Sequence, residues 1–160
     1  MKLDCTPRVL RWCILLPAAI GCGSSAPPYK GKSVAQLTRM LDDSNPTVQV
    51  QGAFGLAQHG AEAKDAVPAL ITALTSKETL VRQNVALALG KIGPDAKDAV
   101  PALMEALNDP EWAVRRQAAT ALGEIGPEAR AALSALEKQS RDPHQLVRQA
   151  AEEARKKIRG

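Results

Sequence analysis

An internal repeat of 33 residues constrains this chain more than any other feature. The segment 99–131 (AVPALMEALNDPEWAVRRQAATALGEIGPEARA) aligns without a gap on the segment 66–98 (AVPALITALTSKETLVRQNVALALGKIGPDAKD). Pairs of identical residues hold the register, among them Val67/Val100, Pro68/Pro101, Leu74/Leu107, Gly90/Gly123 and Gly93/Gly126. Looser copies lie on each side, so four units fill the chain from Ser33 to Gly160. A fixed period of this length is typical of solenoid proteins, whose stacked units share one core.

Each unit carries the pattern of two helices. In the third unit, Asp98 is expected to cap a first helix, and apolar residues then recur at three- and four-residue spacing. Asp109 and Pro110 are expected to begin the second helix, with Asp as the N-cap and Pro at the first helical position. Gly126 and Pro127 should end that helix, because Gly accepts a left-handed backbone and Pro cannot continue a helix. The prediction is an all-α fold.

The third unit carries a family resemblance as well as a period. Its string NDPEWAVRRQAATALGEIGPEA, residues 108–129, resembles a HEAT repeat in the short form also seen in phycobilisome lyase subunits. The Thr-Pro-Leu-His signature of ankyrin repeats, which share this period, is missing from the sequence. The resemblance implies a right-handed α-solenoid of four helix–turn–helix units, at about 33–65, 66–98, 99–131 and 132–160.

The first 21 residues have the pattern of an export signal. Lys2, Arg8 and Arg11 precede or flank an apolar run that is too short to anchor stably in a bilayer. Residues 19–22 (AIGC) resemble the lipobox of bacterial lipoproteins, which implies that Cys22 is lipidated and becomes the first mature residue. A conventionally cleaved secretory signal and an uncleaved tail on a cytoplasmic protein are the alternatives. The chain's other cysteines, Cys5 and Cys13, also lie in this leader.

The lipoprotein resemblance places the protein at the bacterial cell envelope. Residues 22–32, rich in Gly, Ser and Pro, would form a flexible tether between the lipid anchor and the repeats. Gly23 stands where some inner-membrane lipoproteins carry Asp, which slightly favours the outer membrane. Removal of the leader would lower the formal net charge from +4 to +2, so the electrostatic argument for nucleic acid is weak.

The sequence offers little support for catalysis. Its two histidines, His59 and His144, stand at non-equivalent repeat positions, so a metal site is not expected. HEAT-like hydroxylases carry His-Glu pairs, and this sequence has no His-Glu dipeptide. It also has no recognisable triad and no Gly-rich phosphate loop. We therefore expect no enzyme activity, no cofactor and no small-molecule substrate.

Arginines recur every 33 residues at positions 82, 115 and 148. In HEAT repeats the equivalent arginine usually belongs to a structural ladder with an acidic residue six positions earlier. Asp109 precedes Arg115, and Asp142 precedes Arg148, at that spacing. The spacing is incomplete elsewhere, because Ser76 replaces the acid before Arg82 and Gln49 replaces the first arginine. The interpretation is a partial structural ladder.

The resemblance also suggests where a partner would bind. In HEAT-type solenoids the exposed face of the second helices lines the concave surface. There the candidate binding residues are Val50, Phe54, Gln83, Asn84, Leu87, Arg116, Gln117 and Thr120. Val50, Phe54 and Leu87 would form an apolar patch that grades into a charged end, although Phe54 could equally pack under the tether.

The function predicted from these features is non-catalytic protein binding or scaffolding at the envelope, with an unknown protein or peptide as partner. The alternatives are an accessory subunit of an enzyme, as in phycobilisome lyases, and a nucleic-acid-binding protein.

Overall fold

A computed structural model describes residues 27–160. The predicted signal, Cys22 and the beginning of the tether lie outside the described residues. The described residues form four pairs of α-helices, joined by three 3-10 segments. The helices are α1 (Val34–Met40), α2 (Pro46–His59), α3 (Val67–Ala73), α4 (Thr79–Ile92), α5 (Val100–Ala106), α6 (Trp112–Ile125), α7 (Leu133–Gln139) and α8 (Gln145–Arg159). The prediction of an all-α solenoid with two helices in each unit is confirmed.

The first helix of each unit is short and begins later than the sequence suggested. The residue at the N-cap position of α5 is Ala99, which makes no side-chain hydrogen bond to the helix. Asp98 lies inside the 3-10 segment Gly93–Ala99, so the expectation that it caps the helix is wrong. The chain winds into this segment directly after Gly93, and Ala96 then breaks the helical geometry. The 3-10 turns therefore take the place of a capped start.

The second helices begin two residues beyond the predicted start. Glu111 is at the N-cap position of α6, and Asp109 accepts a hydrogen bond of 2.9 Å from the Glu111 N–H in the preceding turn. Asp109 therefore closes a turn instead of capping the helix. Gly126 ends α6 with a φ of 75°, which confirms the predicted glycine stop.

Close packing of the second helices holds the solenoid together. A Cβ added to Gly90 would lie 3.0 Å from the Cα of Ala121, and one added to Gly123 would lie 2.8 Å from the Cα of Ala154. Only glycine permits such an approach of two helix backbones. Adjacent first helices of residues 27–160 make little direct contact, because 3-10 segments lie between them. The second helices therefore form one closely packed row along the solenoid.

The two ends of the described region differ from the middle. In unit one, a Cβ on Gly52 would lie 2.8 Å from the Cβ of Met40, so the glycine lets α1 fold closely over α2. In unit four, Glu152 and Lys156 occupy the positions that Ala119 and Gly123 have in unit three, and their side chains pair at 3.3 Å. The residues that allow close packing along this row are therefore absent from α8.

Candidate functional site

The repeated arginines form ion pairs between units. Arg82 Nε donates to Asp109 Oδ2 at 2.7 Å, and its Nη2 donates to Oδ1 at 3.0 Å. Arg115 makes the same two contacts with Asp142, at 2.7 and 3.2 Å. In both pairs the acid lies 27 residues after the arginine, in the following unit. The ladder therefore ties unit two to unit three and unit three to unit four.

The aspartate and arginine that are six residues apart within a unit do not form a side-chain ion pair with each other. Nη1 of Arg115 donates to the backbone carbonyl of Asp109 at 2.8 Å, and Nη1 of Arg148 donates to that of Asp142 at 2.8 Å. The carboxylates of the two aspartates are turned toward the preceding unit. Within a unit, each arginine therefore contacts only the backbone of the acid six positions earlier, and the ion pairs of the ladder form between units.

Within residues 27–160, no ion pair joins units one and two. In unit one Gln49 takes the arginine's place and donates to the Asp43 carbonyl at 2.7 Å, as the arginines do to theirs. Gln49 and Ser76 line the same pocket of about 200 Å³ between units one and two. The two departures noted in the sequence therefore occur at one junction, where both partners of the ion pair are replaced by neutral side chains.

The ladder shifts the ionisation of its members. Burial raises the pKa of Asp109, but hydrogen bonds from Arg82 and from the Glu111 N–H outweigh it, so the net pKa lies below the usual value. The pKa of Asp142 is lowered in the same way, by Arg115 and the His144 N–H against burial. These carboxylates stabilise the fold when they are ionised.

Part of the predicted tether lies on unit one. Residues 27–31 form a turn in which Lys30 N–H donates to Pro27 O at 2.8 Å. The rings of Tyr29 and Phe54 meet edge to face, with 5.2 Å between centroids. Phe54 is therefore half buried under the tether, and this portion of residues 22–32 is packed against α2.

The other candidate residues lie along the second helices, and most are half buried. Two of the polar ones bond to their own helix, Asn84 to the Leu80 carbonyl at 2.8 Å and Thr120 to the Arg116 carbonyl at 3.0 Å. Leu87 packs partly against the core. The candidate positions in this group are Val50, Gln83, Asn84, Leu87, Arg116, Gln117 and Thr120, and of these only Thr120 is exposed. They belong to α2, α4 and α6, so the fold places them on one row of helices.

The most exposed large apolar side chains of residues 27–160 are not among the candidate binding residues predicted from the sequence. They are Leu80 at 63%, Leu146 at 41% and Trp112 at 38% exposure, all in the first turns of second helices. The Trp112 ring stacks on His144 of the next unit at 3.9 Å, nearly parallel, and Arg116 lies over it at 5.8 Å. The 33-residue period could have identified two of them, because Leu80 and Leu146 occupy the same repeat position two units apart.

The histidines have separate structural contacts. His59 Nε2 lies 3.1 Å from the Lys32 carbonyl, and His144 Nδ1 accepts from the Leu146 N–H at 3.3 Å. Within residues 27–160, no three His, Cys, Asp or Glu side chains come together to form a candidate metal site. In the same region, no helix has both the length and the apolar character needed to cross a bilayer.

The geometry defines a repeat protein of the α-solenoid class, and comparisons identify the family. The HEAT-repeat family matches residues 34–97 and 94–156. The chain therefore belongs to the HEAT-repeat family. No curated protein matches it in sequence.

Solved structures with the same fold include natural and engineered proteins. Human deoxyhypusine hydroxylase, solved with glycerol, is 33% identical with a TM-score of 0.64, over 84% of this chain and 46% of that one. An engineered protein is 25% identical with a TM-score of 0.64, over 79% and 62%. The CpcE–CpcF complex of phycocyanin lyase from Nostoc sp. PCC7120 is 22% identical with a TM-score of 0.57, over 79% and 65%. This chain thus spans less than two thirds of each.

Proposed function

We propose that this protein is a non-catalytic binding module, and that a peptide or protein segment docks on the concave face of its second helices. The observation that carries the proposal is the continuous row formed by α2, α4, α6 and α8. HEAT repeats generally mediate protein interactions, and a curved row of helices offers a long surface built from few residues per unit.

The character of this surface changes along the row. Val50 and Leu87 give units one and two an apolar portion, and both pack partly against the core. In units three and four, Lys157 pairs with Glu124 across the unit boundary at 2.6 Å. A partner segment with apolar residues at one end and mixed charges at the other would match this gradient.

Site-specific photocrosslinking tests the concave face. A photoreactive amino acid at Gln83 or Gln117 should give discrete adducts in cells, and the same residue at Lys138 on the first-helix side should give none. Leu87→Asp should abolish the adducts and leave the melting temperature within a few degrees, because Leu87 is only partly buried. Equal crosslinking from both sides would disprove the concave-face proposal.

We further propose that Cys22 carries a lipid anchor that holds the repeats at the cell envelope, with the outer membrane slightly favoured. Lipid attachment contributes roughly 0.8 kcal/mol per buried methylene, so two chains give stable membrane binding. The test compares the intact mass and detergent-phase partitioning of the wild-type protein and Cys22→Ser. A wild-type protein that keeps Met1 and stays in the aqueous phase would refute the anchor.

The crosslinked partner also decides between the alternatives. A partner enzyme whose activity depends on this chain would make the protein an accessory subunit. Nucleic-acid binding would instead give an affinity that falls steeply with salt concentration.

A further inference from the structure

We propose that Arg148 is a binding site for a carboxylate, supplied by an acidic residue of a partner protein. This site is at the N-terminal end of α8, so it goes beyond the concave-face proposal in both location and partner chemistry. It rests on the comparison of three equivalent arginines in one fold.

Arg148 has the anchoring contacts of the other two arginines without their carboxylate. Its Nη1 donates to the carbonyls of Asp142 at 2.8 Å and Pro143 at 3.0 Å. Arg115 makes the equivalent contacts at 2.8 and 2.9 Å, and its Nε and Nη2 hold Asp142. Among residues 27–160, no group accepts from Nε or Nη2 of Arg148.

The anchoring prepares Arg148 for a planar two-point contact. Two backbone carbonyls restrain the guanidinium, so little side-chain freedom remains to be lost when an acid binds. Parallel hydrogen bonds from Nε and Nη2 match the geometry of a carboxylate. The N-terminal end of α8 also favours a negative charge nearby.

The surroundings indicate that the acid comes with an apolar neighbour. Leu146 is exposed two residues before Arg148, and its backbone N–H is already bonded to His144. The Trp112 ring, stacked on His144, extends the apolar surface toward unit three. A partner segment with a leucine-like residue beside an Asp or Glu would use both features.

A second copy of this chain is a poorer source of the carboxylate. Its Asp43 has the same turn as the ladder aspartates, accepting from the Asn45 N–H at 2.8 Å. A copy stacked like another unit, however, would meet the long side chain of Lys156 at the position where the preceding units carry only Ala57, Gly90 and Gly123. The structure therefore favours a different protein.

Nuclear magnetic resonance of arginine Nε–H groups in the full chain provides the test. The probe is the blocked peptide Ac-Ala-Leu-Asp-Leu-Ala-NH2, with the Asp→Asn peptide as its control. The variant is Arg148→Gln, because Gln49 shows that glutamine can make the same carbonyl contact. The matched variant is Arg141→Gln, which removes the same charge from an exposed position.

The Asp peptide should shift the Arg148 Nε–H and the Leu146 amide in the wild type and in Arg141→Gln, and bind at least tenfold more weakly to Arg148→Gln. The Asn peptide should also bind at least tenfold more weakly to the wild type. Equal binding of the two peptides, an equal loss in both variants, or no shift would overturn the proposal. A concentration-dependent Arg148 signal that Asp43→Asn abolishes would overturn it in favour of a second copy. Leu87→Asp should not affect this binding, so the concave-face proposal can fail separately.

Discussion

Replacing Asp109 by Asn tests the energetic role of the ladder. The side chains of Asp109 and Arg82 are only 8% and 13% exposed, so their pair is partly buried. Exposed ion pairs contribute about 0–1 kcal/mol, whereas removing one partner of a buried pair costs about 3–5 kcal/mol. Asn keeps the hydrogen bond from the Glu111 N–H and can accept one from the guanidinium. We therefore expect the free energy of unfolding to fall by about 2 kcal/mol.

Asp43→Asn is the matched control for this substitution. Asp43 makes the same backbone contact, with the Asn45 N–H, and forms no ion pair with any residue of 27–160. Because a neutral amide preserves that contact, the control should lose less than about 0.5 kcal/mol. Urea unfolding of the full chain, followed by circular dichroism, measures both variants.

The pH dependence gives this prediction a second readout. The folded-state pKa of Asp109 is below its ordinary value of 3.8. Its stabilisation is therefore present above about pH 4 and is lost as the pH falls through the lower folded-state pKa. The difference between the wild type and Asp109→Asn should shrink toward pH 2. Equal effects of Asp109→Asn and Asp43→Asn at pH 7, or a difference that does not change with pH, would refute the reasoning.

Three further tests address other parts of the fold, each by urea unfolding. Gly123→Val should cost about 1–3 kcal/mol, because its Cβ would press on the Ala154 backbone, and an unchanged midpoint would show that α6 and α8 can separate freely. Gly126→Ala should cost about 1–3 kcal/mol through the backbone conformation alone, with φ 75° and ψ −141°, since a Cβ there meets nothing within 4 Å. Gln49→Arg combined with Ser76→Asp should add the missing ion pair. The double variant should then have a free energy of unfolding about 0.5–1 kcal/mol higher than the sum of the two single effects predicts, whereas simple additivity would mean that no pair forms.

Much of the fold could be predicted because its signals are local. The glycine that ends α6 is recognisable from Gly126 and Pro127, and the apolar spacing identifies each helix face. The starts of the helices were harder to predict. Asp98 and Asp109 both have the sequence pattern of an N-cap. Asp98, however, lies inside a 3-10 segment, and Asp109 closes a turn and binds Arg82.

The candidate surfaces were less predictable, because exposure depends on neighbours. Phe54 has the spacing of an exposed concave residue, yet Tyr29 packs on it from a segment expected to be flexible. Leu80 and Leu146 have the pattern of ordinary apolar residues in a helix, yet they project beyond the core at the helix starts. Neither outcome follows from the helical period, which states which residues share a face but not what covers that face.

The sequence by itself determined the architecture of this protein: a 33-residue period, two helices in each unit and glycines at their ends. Only the tertiary structure decided which side chains meet across the unit boundaries. Stacking brings Arg82 to an aspartate 27 residues away, and it leaves Arg148 without a carboxylate among the described residues. The physical reason is that a repeat specifies the conformation of each unit, whereas the spacing between units depends on how closely their helix backbones can approach.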